Sequence, residues 1–76
     1  MSLSKVADGQ KVRIVSMNVG RELAQRLASL GMLPGERVEV VQNHLYGAFL
    51  LNCRGSRFLL GRGLAHIIQV EDCLER

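Results

Sequence analysis

The sequence predicts a mainly β domain, a small SH3-like, partly open β-barrel of about five strands carrying one short α-helix. Three observations predict it. Short segments alternate apolar and polar residues with period two, turn-forming residues separate those segments, and a single stretch changes to the helical period. The 76 residues leave room for one domain, 1–76, and a chain of that size buries only about 60% of the surface its unfolded form exposes. An open sheet of the same strands would leave long exposed edges, so closure is the expected arrangement.

Asp8-Gly9 supplies a turn, after which Lys11-Val-Arg-Ile-Val-Ser-Met alternates with Val12 and Ile14 on one face and Lys11 and Arg13 on the other. From Gly20 to Leu30 the period changes. Leu23, Leu27 and Leu30 fall at i, i+4 and i+7 opposite Arg21, Glu22, Gln25 and Arg26, which predicts a short amphipathic helix with all three leucines packed on the barrel. Asn18 is the best capping candidate at its start, and Gly31 stands where a left-handed residue ends a helix. Pro34-Gly35 fits the central positions of a type II turn. Glu36 to Gln42 alternates with Val38 and Val40 inward, residues 43–47 turn, and Phe49 and Leu51 resume the period. Gly55-Ser56 then reads as a type II′ hairpin turn, a register that sets Arg54 opposite Arg57. Phe58 and Leu60 form the return strand, Gly61-Arg62-Gly63 leaves room for a single turn, and Ile68 and Val70 alternate in a final strand before an acidic tail.

Composition narrows the function by exclusion. The longest apolar run, Ala48 to Leu51, is far short of the roughly 20 residues that a membrane helix needs, so no direct membrane insertion is expected. The N-terminus has no apolar export segment, which points to the cytoplasm. Cys53 and Cys73 lack CxxC spacing and read as thiols, and His44 and His66 lack the spacing of metal ligands. No Ser-His-Asp set and no phosphate-cradling glycine loop is present, so neither a catalytic residue, a cofactor site nor a metal site is assigned. A non-enzymatic binding module is the remaining class.

Ten basic residues stand against seven acidic ones, and eight of the ten are arginine. Arginine suits bidentate docking on carboxylate or phosphate. A small basic nucleic-acid-binding barrel is the alternative function, but such proteins stack bases on exposed aromatics, and here Phe49 and Phe58 point inward and only Tyr46 is free.

The run Leu27-Ala-Ser-Leu-Gly-Met-Leu-Pro-Gly35 followed by Glu-Arg-Val-Glu-Val strongly resembles the FeoA family of small ferrous-iron-uptake proteins. Leu3 and Gly9 match that family's opening, and Phe58-Leu-Leu-Gly-Arg with Ala65, Ile68 and Val70 matches its closing strands. The resemblance implies an SH3-like barrel; similar domains also occur fused to metal-dependent repressors, and a chain that starts at Met1 and ends six residues past its last strand is expected to be the free-standing form. The resemblance also implies a cytoplasmic companion of FeoB, a membrane transporter for ferrous iron whose soluble part includes a GTP-binding domain. Iron is implied for the pathway. The matched motif residues Leu27, Leu30, Gly31, Pro34 and Gly35 belong to the fold and carry no chemistry.

The candidate interface residues therefore come from exposure and charge. Leu45 and Tyr46 are large apolar side chains in a predicted turn, suited to packing back on the barrel, to a partner, or to a second copy in a homo-oligomer. Arg54, Arg57 and Arg62 lie in a stretch without acids and form a candidate basic patch for an acidic face of the transporter.

Overall fold

The computed structural model describes residues 1–44 and 47–73. Five antiparallel strands form one sheet: β1 (Lys11–Met17), β2 (Arg37–Asn43), β3 (Phe49–Cys53), β4 (Ser56–Leu60) and β5 (Ile68–Asp72), in spatial order β4-β3-β2-β1-β5. Helix α1 (Arg21–Ser29) joins β1 to β2, and α2 (Arg62–Ile67) joins β4 to β5. The barrel is partly open, since β4 and β5 end the sheet and do not pair with each other. A 3-10 turn at Leu3–Lys5 packs on α2 and β5.

The core follows the period-two pattern closely. Val12, Ile14, Val38, Val40, Phe49, Leu51, Ile68 and Val70 are all buried, and each stands at a position the alternation turns inward. Register shifts between Ile14 and Ser16 and between Val40 and Gln42 bend β1 and β2, which curls the sheet around these side chains. Leu3 and Val6 enter the same core from the N-terminal turn, where no periodicity announces them.

The helix differs from expectation at both ends. Its N-cap is Gly20 rather than Asn18, without a side-chain hydrogen bond. Leu27 is buried and Leu23 packs partly against the core, but Leu30 is 39% exposed. The helix ends one residue before Leu30, and the chain reverses through Gly31 at φ +92°. Gly31 N–H donates to Ala28 O and Met32 N–H to Leu27 O, both at 2.9 Å, the paired bonds of a Schellman motif. That reversal carries Met32, fully buried, into the core instead of Leu30.

Pro34-Gly35 forms the expected turn, with Gly35 at φ +93° and Glu36 N–H donating to Leu33 O at 3.0 Å. The turn docks on β1, where Gly35 N–H donates to Ile14 O at 2.7 Å and Ile14 N–H donates to Glu36 O at 2.9 Å.

The β3–β4 turn sits one residue earlier than expected, which displaces every cross-strand partner by two residues. Cys53 pairs with Ser56, so the two-residue loop is Arg54-Gly55. Both residues have positive φ, 54° and 83°, as a type I′ turn requires. Arg57 consequently faces Asn52, and Arg54 does not oppose it. The single turn expected after Gly61 is the six-residue helix α2.

Candidate interaction face

The shifted hairpin register decides where the candidate arginines lie. Arg54 occupies the first central position of the turn and is the one non-glycine residue with positive φ among the described residues. Its side chain is 64% exposed and reaches Glu36 at 3.5 Å, an exposed pair that contributes little to stability. Arg57 is exposed on β4, at the end of a row that runs Lys11, Glu39, Asn52, Arg57 across four strands on the outer face of the sheet.

Arg54 separates two shallow clefts. One, of about 240 Å³, is lined by Lys11, Arg37, Glu39, Asn52 and Gly55 together with Arg54. The other, of about 250 Å³, lies between the end of α1 and the hairpin and includes Leu30, Gly31 and Cys53. Lys11 and Arg37 thus join Arg54 and Arg57 on one face, a grouping that only the β1–β2–β3 pairing creates. Outward alternation of Lys11 and Arg37 was the sequence signal for it. The like-charge opposition expected between Arg54 and Arg57 occurs instead between Arg13 and Arg37, with Glu71 registered on the other side of Arg13.

Arg62 belongs elsewhere. It stands beside Phe49, about 13 Å along the hairpin from the Arg54 turn at the usual strand rise. Its guanidinium lies 4.6 Å from the Phe49 ring centroid, and Nη2 donates to Asn43 Oδ1 at 2.6 Å and to the His44 carbonyl. Asn43 in turn donates through its backbone N–H to Asp8 and through Nδ2 to Val6 O. The result is a clasp that ties α2 and the end of β2 to the N-terminal loop, and Arg62 does not extend the basic face. Leu45 and Tyr46, the apolar candidates, lie outside the described residues.

Cys53 is buried behind the hairpin turn, with Sγ donating to Gly31 O at 3.3 Å. Burial pushes its thiol pKa up, the nearby Glu36 carboxylate adds to the rise, and Arg54 opposes it. A thiol held protonated is a poor nucleophile and metal ligand. Among the described residues no three His, Cys, Asp or Glu side chains gather as a metal site. No helix of the described residues is long and apolar enough to cross a membrane.

Comparison with known proteins assigns the whole of this architecture. The FeoA domain family model matches residues 1–72. A relative from Methanocaldococcus jannaschii, described as a putative Fe(2+) transport protein A, is 34% identical over 70 residues, covering 92% of this chain and 84% of its own length. A crystal structure of an iron uptake regulatory protein, FeoA, superimposes with a TM-score of 0.88 at 32% identity, covering 96% of this chain and 97% of the other. The solution structure of FeoA from Chlorobium tepidum gives a TM-score of 0.88 at 25% identity over 97% of this chain and 71% of that one.

Proposed function

The chain belongs to the FeoA family of ferrous iron transport, and on that premise we propose that it is a non-enzymatic cytoplasmic adaptor of a FeoB-type membrane transporter. It docks at the inner face of the membrane on the transporter's soluble, GTP-binding part and modulates its assembly or GTP cycle. The observation that carries this reading is the basic face formed by Arg54, Arg57, Lys11 and Arg37 around the β3–β4 turn. Arg54 adds to it. A non-glycine residue at φ 54° costs about 1–2 kcal/mol, and a strained position kept in the fold is a reason to look for a contact there.

Association rates with the transporter's purified soluble part test the reading. Arg57→Glu combined with Arg54→Gln should slow association about several-fold without unfolding the protein, and the wild-type rate should fall as salt rises. Association indifferent to both the substitutions and the salt removes this face from the interface. Recovery of RNA and no transporter when the tagged protein is purified from cells would favour the nucleic-acid alternative.

A further inference from the structure

The two outer strands of the sheet are finished differently. Along β5, the N-terminal segment acts as a cover: Val70 N–H donates to Met1 O at 2.7 Å, the Met1 ammonium donates to Val70 O at 2.9 Å, and Ser2 bridges Gln69 in the antiparallel sense. Along β4 no such cover exists among the described residues, and none of their backbone hydrogen bonds outside the β3–β4 ladder involves residues 56–60. A type I′ hairpin closes on a hydrogen-bonded pair, here Cys53 and Ser56, and hydrogen-bonded pairs alternate along the ladder. Phe58 and Leu60 therefore bond to β3, and the N–H and C=O groups of Arg57 and Leu59 point away from the sheet.

Proteins blunt such edges with proline, lysine, bulges or very short strands. This one has a regular five-residue register from Phe49↔Leu60 to Cys53↔Ser56, without bulge or proline. Leu59 is 68% exposed, the largest value among the exposed large hydrophobic residues described, and stands next to Arg57 on the outer face. No acid occurs between Glu39 and Glu71, so the edge carries only positive charge.

We propose that the β4 edge binds an extended segment of a partner protein as an added strand, and that this segment carries an acidic side chain opposite Arg57 and an apolar one, two positions away, opposite Leu59. The inference rests on the adaptor reading and gives it a binding mode. Main-chain bonds to Arg57 and Leu59 supply the docking, Arg57 selects for acid, and Leu59 loses its contact with water. Charge chooses this occupant over a second copy of the chain: antiparallel self-pairing centred on Phe58 would set the two Arg57 side chains about 7–8 Å apart on one face, with no acid between them.

Amide exchange of the intact protein, read residue by residue, tests the proposal with two probes: the transporter's soluble part, and a capped ten-residue peptide in which glutamate and valine alternate at every second position with threonine between them, so that both stand on one face of the added strand, with lysine replacing glutamate in a control peptide. The expected result is that the Arg57 and Leu59 amides gain protection of about tenfold or more with bound partner while the Phe58 amide, already bonded to β3, changes little. Leu59→Pro, which removes an outward donor together with the exposed leucine side chain and breaks no bond to β3, should abolish the protection at Arg57, and Arg57→Glu should weaken the effect about tenfold. Should the proline variant not fold, the wild-type protection pattern decides alone. Transporter binding without protection at Arg57 and Leu59 overturns the edge and leaves the adaptor intact. If the transporter does not bind, the adaptor reading falls, and the edge stands or falls on whether the glutamate peptide, and not the lysine peptide, protects the two amides. Protection that depends on protein concentration without any probe overturns the acidic segment in favour of self-pairing.

Discussion

The helix exit at residues 27–36 and the hairpin tip at residues 52–57 pack against each other, yet they are built on opposite terms. In the exit, each residue suits its backbone: glycine at both positive-φ positions, proline ahead of the second, Leu27 and Met32 in the core. At the tip the turn needs two residues of positive φ, for which Asn-Gly is the preferred pair, and the chain places Arg54 there. The difference separates residues that serve the fold from one that the fold only tolerates. The family motif lies in the first region and the basic face in the second, so the residues that identify the protein are not those proposed to bind its partner.

The strongest way to break this contrast is to compare two leucines three residues apart. Leu27→Ala should lower stability by about 2–5 kcal/mol, because it opens a cavity in the buried core. Leu30→Ala should shift stability by only about 0.5 kcal/mol, since Leu30 is a partly exposed residue beyond the helix. Denaturant midpoints measure both. Similar losses in the two variants would mean that Leu30, not Met32, closes the core.

A smaller effect of opposite sign is expected at the tip. Arg54→Asn should raise stability by about 0.5–1 kcal/mol, because asparagine tolerates the left-handed region and suits the first position of a type I′ turn. Loss of the Glu36 pair subtracts little. The same substitution should slow association with the transporter's soluble part. A variant that is more stable and binds as well as wild type would make Arg54 an accident of sequence rather than a contact.

Legibility followed locality. The eight inward positions from Val12 to Val70 were readable because a strand shows its buried face to any reader of every second residue. Met32 was not readable from helical spacing, since it reaches the core only after Gly31 reverses the chain. Around Arg54-Gly55-Ser56, glycine can stand first or second in a two-residue turn, and choosing the first displaced Arg57 from Asn52. Arg62 looked like its neighbours in a run of basic residues, and only the fold brings Phe49 and Asn43 to it. The basic face had the same obstacle, since Lys11 and Arg37 join it through strand pairing at long range.

The smallest predicted effect lies on Cys53, which joins the two regions through its bond to Gly31 O. Folding raises the thiol pKa above its ordinary value of 9.0, chiefly by burial. Below that value both folded and unfolded chains keep the proton, and the buried thiol's contribution to stability is whole. As pH rises past it, the unfolded chain releases the proton first and the contribution drains away toward the folded pKa. Lysine and tyrosine titrate in the same range, so the comparison is with Cys53→Ala, which should be less stable near neutrality but lose stability less steeply above pH 9.0. Thiol labelling of the folded wild type should modify half-buried Cys73 before Cys53, whose reaction waits on opening of the hairpin from the helix exit. Equal pH slopes for the two proteins, or labelling of Cys53 as fast as Cys73, would mean that the exit and the tip separate readily, and that the contact between them does not hold the turn in place.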